Sequence, residues 1–371
     1  MTHNICDTVR LCIDVANIEI KKPENFIPNA RIVERINKNI DAIYDPKKLF
    51  LKYRGYVPRI KLSKQIRVGG YRTALLIEFS APKMLFGNNL QEICDEDFDR
   101  LIEKLKEYTS AAGIEISEDC LRNAPVVGIH YGKNISLTVS VSSLLQEFKR
   151  CKFQRYFDVC DTSHKNGGET VRVHTSFFEV AWYDKITECS KNSYRRCEKD
   201  DGIYQNISFK QYADCRVLRQ EVRLNRKRYI RNLLKKCEIN VEDLTFKYLF
   251  NSTISQKINL YIFRKIQQAR VSGILENPNS YKAYALMLKE KGYKIPKIME
   301  LIGFMALCKE MEGVDLQKLT GKSRTPFLKN LQKDLADMVS ADDYFGAVFT
   351  QISRVIEQNT IIKIGDKNVC N

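Results

Sequence analysis

The sequence has no run of eighteen apolar residues, so no segment is expected to cross a bilayer as a helix. A charged content of 29% points the same way. No two cysteines stand as a CxxC pair, and structural zinc sites take two closely spaced ligands twice over, so a zinc module is not expected. An export signal is not expected either, because Asp7, Arg10 and Asp14 interrupt the first apolar stretch. The twelve cysteines, scattered from Cys6 to Cys370, are therefore expected mostly as small buried hydrophobes in a reducing cytoplasm, without a disulfide framework. The phosphate-binding pattern G-x-x-x-x-G-K-[ST] is missing, and the nearest approach, between Gly313 and Lys322, has the wrong spacing. Nine prolines and 17 glycines in 371 residues exclude collagen-like and low-complexity chains, and no internal repeat of fixed period is found.

What the chain has in excess is positive charge. Lys and Arg number 61 against 45 Asp and Glu, a formal charge of +16. Such a surplus serves solubility or attracts a polyanion, either nucleic acid or an anionic membrane face. At 44% hydrophobic residues the chain can bury a core, and its length suits two or three domains.

Apolar spacing divides the chain near residue 240. Before it, strands are expected over 7–20, 70–80, 124–131, 135–141, 171–183 (one strand, or two with a bulge) and 216–224. A helix is expected over 95–111, with Phe98, Leu101, Ile102, Leu105 and Tyr108 on one face. Composition marks 81–89 as a loop or short turn-rich segment, 161–170 as a turn, and the polar stretch 190–206 as a loop. After residue 240 helical stripes dominate, over 258–269, 280–291, 296–312 and 324–338. The expected class is α+β: a central antiparallel sheet in residues 1–240, then a mostly helical domain over 241–371.

Residues 219–236, RQEVRLNRKRYIRNLLKK, hold eight basic residues against the single acid Glu221. This density, with Tyr229 interleaved, suits contacts along a phosphate backbone, from Arg223, Arg226, Lys227, Arg228 and Arg231. The plainer alternative is a solvated helix face. It has few large apolar residues opposite its charges, so a membrane-surface helix is poorly supported.

Three segments carry more specific information. They are residues 77–89, IEFSAPKMLFGNN; residues 180–188, VAWYDKITE; and residues 218–224, LRQEVRL. Together they resemble, in the same order, blocks of the rolling-circle replication initiators of the filamentous-phage gene-two/X family and related plasmid and mobile-element replication initiation factors. The central block is V-x-x-Y-x-K-x-x-E, and the last is an R-x-E strand followed by a basic run. The resemblance covers about 150 residues and is loose over the C-terminal helices.

The resemblance implies a metal-dependent DNA nickase. Tyr183 would attack one phosphodiester at an origin, stay joined to the 5′ phosphate and release a 3′-OH primer, and later the strand would be rejoined. A phenol with an ordinary pKa near 10 needs help to do this, and Lys185 is placed to stabilise the phenolate or the phosphorane. Mg²⁺ or Mn²⁺ is the expected cofactor, with Glu78, Glu188 and Glu221 as candidate ligands by position. His130 is a fourth candidate. It falls in VGIHY (127–131), where the family often carries Arg-x-Asp, so it is either a ligand in place of the acid or a half-buried packing histidine. Of the other histidines, His174 lies nine residues before Tyr183, on the opposite face unless a bulge or hairpin intervenes. Lys83 and Asn89 are candidate phosphate contacts by residue type and position.

Residues 314–338 have the outline of a helix-turn-helix that would present Arg324, Lys329 and Lys333 to duplex DNA; a plain helical hairpin fits equally. The expected partners are single- and double-stranded DNA, with a host helicase and polymerase and no membrane. A conjugative relaxase with the same chemistry, or a DNA-binding regulator whose catalytic site has decayed, are the alternatives.

Overall fold

The computed structural model describes residues 6–28, 40–44, 56–67, 70–150, 159–165, 170–194, 215–241, 243–269, 285, 288–289, 292–310 and 342–358. The helix-turn-helix outline at 314–338, with Arg324, Lys329 and Lys333, lies outside them, as does most of the helix expected over 280–291.

The strands are β1 (Cys6–Asp14), β2 (Glu19–Ile20), β3 (Phe26–Pro28), β4 (Ile40–Tyr44), β5 (Arg59–Arg67), β6 (Gly70–Ser80), β7 (Ile114–Glu115), β8 (Val126–Ser136), β9 (Val159–Lys165), β10 (Thr170–Thr175), β11 (Glu179–Asp184) and β12 (Val217–Leu224). Ten of them form one antiparallel sheet in the order β3-β4-β5-β6-β1-β8-β12-β11-β10-β9, and β2 pairs with β7 separately. The helices are α1 (Ala81–Phe86), α2 (Phe98–Ala111), α3 (Glu118–Arg122), α4 (Val141–Arg150), α5 (Lys185–Tyr194), α6 (Lys227–Lys236), α7 (Phe246–Leu249), α8 (Ser252–Ala269), α9 (Ile295–Glu310) and α10 (Asp342–Gln358). None is long and apolar enough, among the described residues, to cross a membrane.

Several segments depart from the sequence reading, among them the strand expected over 7–20: β1 ends at Asp14, a single 3-10 turn spans Val15–Asn17, and β2 pairs apart with β7. The loop expected at 81–89 begins with α1. Pro82 sits in its first turn, where the missing N–H costs nothing, and Gly87 ends it at φ 71°, a left-handed conformation that glycine adopts without strain. The strands expected over 124–131 and 135–141 are one strand, β8, running through Gly132, Lys133 and Asn134; residues from Val141 onward enter α4. Of the turn expected at 161–170, residues 161–165 belong to β9 and Thr170 opens β10, while 166–169 lie outside the described residues. The polar stretch from Ser190 begins inside α5, which runs to Tyr194. Cys215 is disulfide-bonded, against the expectation of unbridged cysteines.

Alternation along the central strands gives the sheet two unlike faces. One is apolar: Leu11, Ile77, Ile129, Tyr131, Leu218, Val222, Val180, Trp182 and Val173 are all buried. Helices cover this face through aromatic contacts. Phe148 of α4 meets Trp182 at 5.3 Å, Phe349 of α10 meets Phe148 at 5.8 Å and Phe263 of α8 at 5.5 Å. Phe79 of β6 meets Phe246 of α7 at 5.7 Å. Buried polar groups within this layer are satisfied: Trp182 donates to Gln220, whose amide donates to Asn259 of α8. The other face is charged, and it holds the candidate site.

Candidate functional site

Strand β12 reads V-L-R-Q-E-V-R-L, so Arg219, Glu221 and Arg223 share one face. Register places Tyr183 of β11 opposite Arg219, Ala181 opposite Glu221 and Glu179 opposite Arg223. On the other side, β8 sets Asn134, Gly132 and His130 against the same three residues. Strand β10 adds Arg172 opposite Ala181, and His174 opposite Glu179. A hairpin at 176–178 intervenes between β10 and β11, so His174 and Tyr183 share a face after all.

Glu221 is the hub of this face. Its carboxylate accepts from Tyr183 Oη at 3.1 Å and from Arg223 through Nε at 2.9 Å and Nη2 at 3.1 Å. His130 Nδ1 lies 3.2 Å from it, and His130 Nε2 lies 3.1 Å from Asn225 Oδ1. Burial opposes ionisation of Glu221, but the hydrogen bond from His130 and the charge of Arg223 outweigh it and hold the carboxyl well below its usual range. Tyr183 is half-buried. Burial pushes its phenol well above the ordinary value, Glu221 and Glu188 push it further, and Arg219 pulls it back. The resting phenol is therefore protonated and hydrogen-bonded to an ionised carboxylate.

Strand β11 ends at Asp184, whose carboxylate caps the next helix by accepting from the Thr187 N–H at 3.0 Å. Lys185 and Glu188 thus lie one helical turn apart on α5, with Nζ 2.8 Å from Glu188 Oε2. Lys185 is fully buried, and it also donates to Asn89 Oδ1 at 2.9 Å and lies 5.6 Å from the centre of the Tyr183 ring. Asn89 is itself buried. Burial opposes the charge on Glu188, but Lys185, then Lys83 and Arg219, keep that carboxyl below its usual range.

Arg219 is 2% exposed and reaches across the sheet. Its Nη2 donates to Asp7 of β1 at 2.6 Å and its Nη1 to Asn134 of β8 at 3.0 Å. Strand β8 lies between β1 and β12, and the guanidinium passes over it at Gly132. A Cβ at that position would lie 2.2 Å from Nη2, so the glycine makes the crossing possible.

Glu78 stands apart, on β6, paired with Arg10 at 2.9 Å. Of the basic residues expected to touch DNA, Arg223 belongs to the tyrosine cluster. Arg226, Lys227, Arg228 and Arg231 are exposed at the start and on the outer face of α6, whose inner face buries Ile230, Leu233 and Leu234. Asp7, Asn134, Arg172, Arg219 and Glu179 were not assigned roles by the sequence. The signal for Arg219 was present: three charges at period two in a strand whose other residues are apolar except Gln220.

The four candidate ligands do not fit a divalent cation as arranged. Both oxygens of Glu221 are taken by Arg223, His130 and Tyr183, and both ring nitrogens of His130 face oxygens. Glu188 is paired with Lys185, and Glu78 with Arg10. Among the described residues no three or more His, Cys, Asp or Glu stand together as a metal group.

Compared with known protein families, the chain matches no family model. A comparison with curated proteins finds no relative.

Proposed function

We propose that the protein is a DNA-nicking and strand-joining enzyme that initiates rolling-circle replication, with Tyr183 as nucleophile. The observation that carries the reading is Tyr183 Oη held 3.1 Å from an ionised, buried carboxylate within a cluster of arginines and a buried lysine. Glu221 is placed to accept the phenol proton as the oxygen attacks phosphorus. Arg219 and Lys185 lower the cost of negative charge on that oxygen. Asp7, Asn134 and Asn89 hold the two cations in place. The bond energy stays in the phosphotyrosine, so rejoining needs no nucleotide hydrolysis, in keeping with the missing phosphate loop. The outer face of α6 binds the DNA backbone. No step is routed through the expected Mg²⁺ or Mn²⁺, because its candidate ligands are already engaged.

The test is covalent trapping on 3′-labelled single-stranded fragments tiled across the element that encodes the protein. Wild type is expected to give a protein-linked band on a denaturing gel, and Tyr183→Phe none, with DNA affinity retained. A band that survives in Tyr183→Phe would place the nucleophile elsewhere among the 18 tyrosines. Binding without a band in wild type would favour the non-cleaving regulator, a reading that the raised pKa of Tyr183 also suits.

Affinity should depend on salt as counterion release requires, with log K falling by about 0.7 per phosphate contact for each unit of log salt on single strands. Arg228→Ala and Arg231→Ala should each reduce that slope by about one contact. A flat salt response, measured by fluorescence anisotropy, would remove α6 from the interface.

A further inference from the structure

Four carboxylates near Tyr183 each already hold a cation. Glu221 and Glu179 share Arg223, at 2.9 and 2.7 Å, Glu188 holds Lys185, and Asp7 holds Arg219. A divalent ion at Glu221 would have to displace Arg223 and turn His130 away. The positive charge that such an ion would bring is present in the protein. Arg172 stands on the same face, one strand from Tyr183, and its nearest carboxylate, Glu179, is 3.8 Å away. Its Nε is buried with no hydrogen-bond partner among the described residues, and the same holds for Nε of Arg219, which is itself 2% exposed. Orphaned guanidinium N–H groups of this kind are costly unless an acceptor arrives. A phosphodiester offers oxygen acceptors matched in geometry to a guanidinium fork. Arg172 and Arg223 keep 28% and 20% of their side-chain surface open, so they can reach an incoming strand.

We infer that strand cleavage at Tyr183 needs no divalent cation, the scissile phosphate being held by Arg172 and Arg223 above the buried charges of Arg219 and Lys185. In that step the Tyr183 Oη–P bond forms as the P–O3′ bond breaks. The phenol proton passes to Glu221, and the departing 3′ oxygen takes a proton from solvent. Arginine clamps stabilise the transferring phosphoryl group where other enzymes use Mg²⁺. The inference rests on the tyrosine-nuclease reading above.

The experiment is the same trapping assay with chelator-treated, desalted full-length protein, run in EDTA, in Mg²⁺ and in Mn²⁺. The expected result is a band in EDTA within about threefold of the band with metal, a tolerance well under the tenfold that 1.4 kcal/mol represents. A band only with metal would overturn the inference and leave Tyr183 as nucleophile. No band under any condition would overturn both. In EDTA, Arg172→Gln is expected to lose at least about 10²-fold in rate, the scale of one lost oxyanion contact, with Arg172→Lys recovering part of it. An Arg172→Gln protein that melts like wild type and nicks at an unchanged rate would also overturn the assignment.

Discussion

Replacing Asp7 by Ala is expected to destabilise the protein by about 3–5 kcal/mol, the range found when one partner of a buried ion pair is removed. The loss comes from Arg219, not from Asp7. That guanidinium is 2% exposed and its shortest contact is the 2.6 Å pair with Asp7. Burial opposes its charge, and Asp7 leads the groups that offset this, ahead of Tyr183, Glu221 and Glu92. Without Asp7 the charge stays in the sheet with Asn134 as its remaining hydrogen-bond acceptor among the described residues. Ser80, which donates to Asp7 at 3.0 Å, loses its acceptor as well. The double change Asp7→Ala with Arg219→Met should recover most of the loss, because a stem of similar volume over Gly132 needs no counter-charge. Denaturant unfolding of the four proteins measures this as a coupling energy. A single-variant loss under about 1 kcal/mol would mean that Glu221 and Glu92 suffice, and that Asp7 matters little to the fold.

This pair also explains how much of the site was legible in the sequence. The strand β12 could be read, because period-two alternation is local. The basic density of α6 was equally local, but the sequence reading finds few large apolar residues opposite those charges, whereas Ile230, Leu233 and Leu234 form a buried stripe there. The block from Val180 to Glu188 gave the order of Tyr183, Lys185 and Glu188, but not that a helix starts at Lys185 and folds the lysine under the tyrosine ring. What the sequence could not give is which strands are neighbours. Asp7 and Arg219 are 212 residues apart, and they meet only because β8 separates β1 from β12 and carries glycine at the crossing. The same limit misplaced the acids. Glu78 and Glu221 look alike as strand carboxylates. The sheet order puts three steps between β6 and β12, about 14 Å at the usual strand spacing, so they serve different arginines. At 81–89, Pro and Gly signalled a break in the chain; they mark instead the two ends of α1.

Glu221→Gln is expected to slow adduct formation by about 10²–10⁴-fold, the usual contribution of a positioned base, with DNA affinity close to wild type. The amide keeps the shape and one acceptor for Arg223 but cannot take the proton of Tyr183. The pH dependence separates this role from a merely structural one. Because His130 and Arg223 hold the Glu221 carboxyl well below its usual range, the wild-type rate should stay level on acidification through pH 5. Arg223→Gln removes part of that support, so its profile should gain an acid limb nearer the ordinary carboxylate value of about 4.3. Stability is lost on the same acid side of this equilibrium. A carboxyl whose folded pKa is depressed contributes stability that is present above its unfolded pKa and lost as pH falls through the folded one. Wild type should therefore lose stability relative to Glu221→Gln below about pH 4, the unfolded value being about 4.3, and the difference should be constant above pH 6. A Glu221→Gln protein that forms adduct within threefold of the wild-type rate would assign the proton to another acceptor. In that case Glu221 would remain as the anchor that holds Arg223 on the open face beside Tyr183.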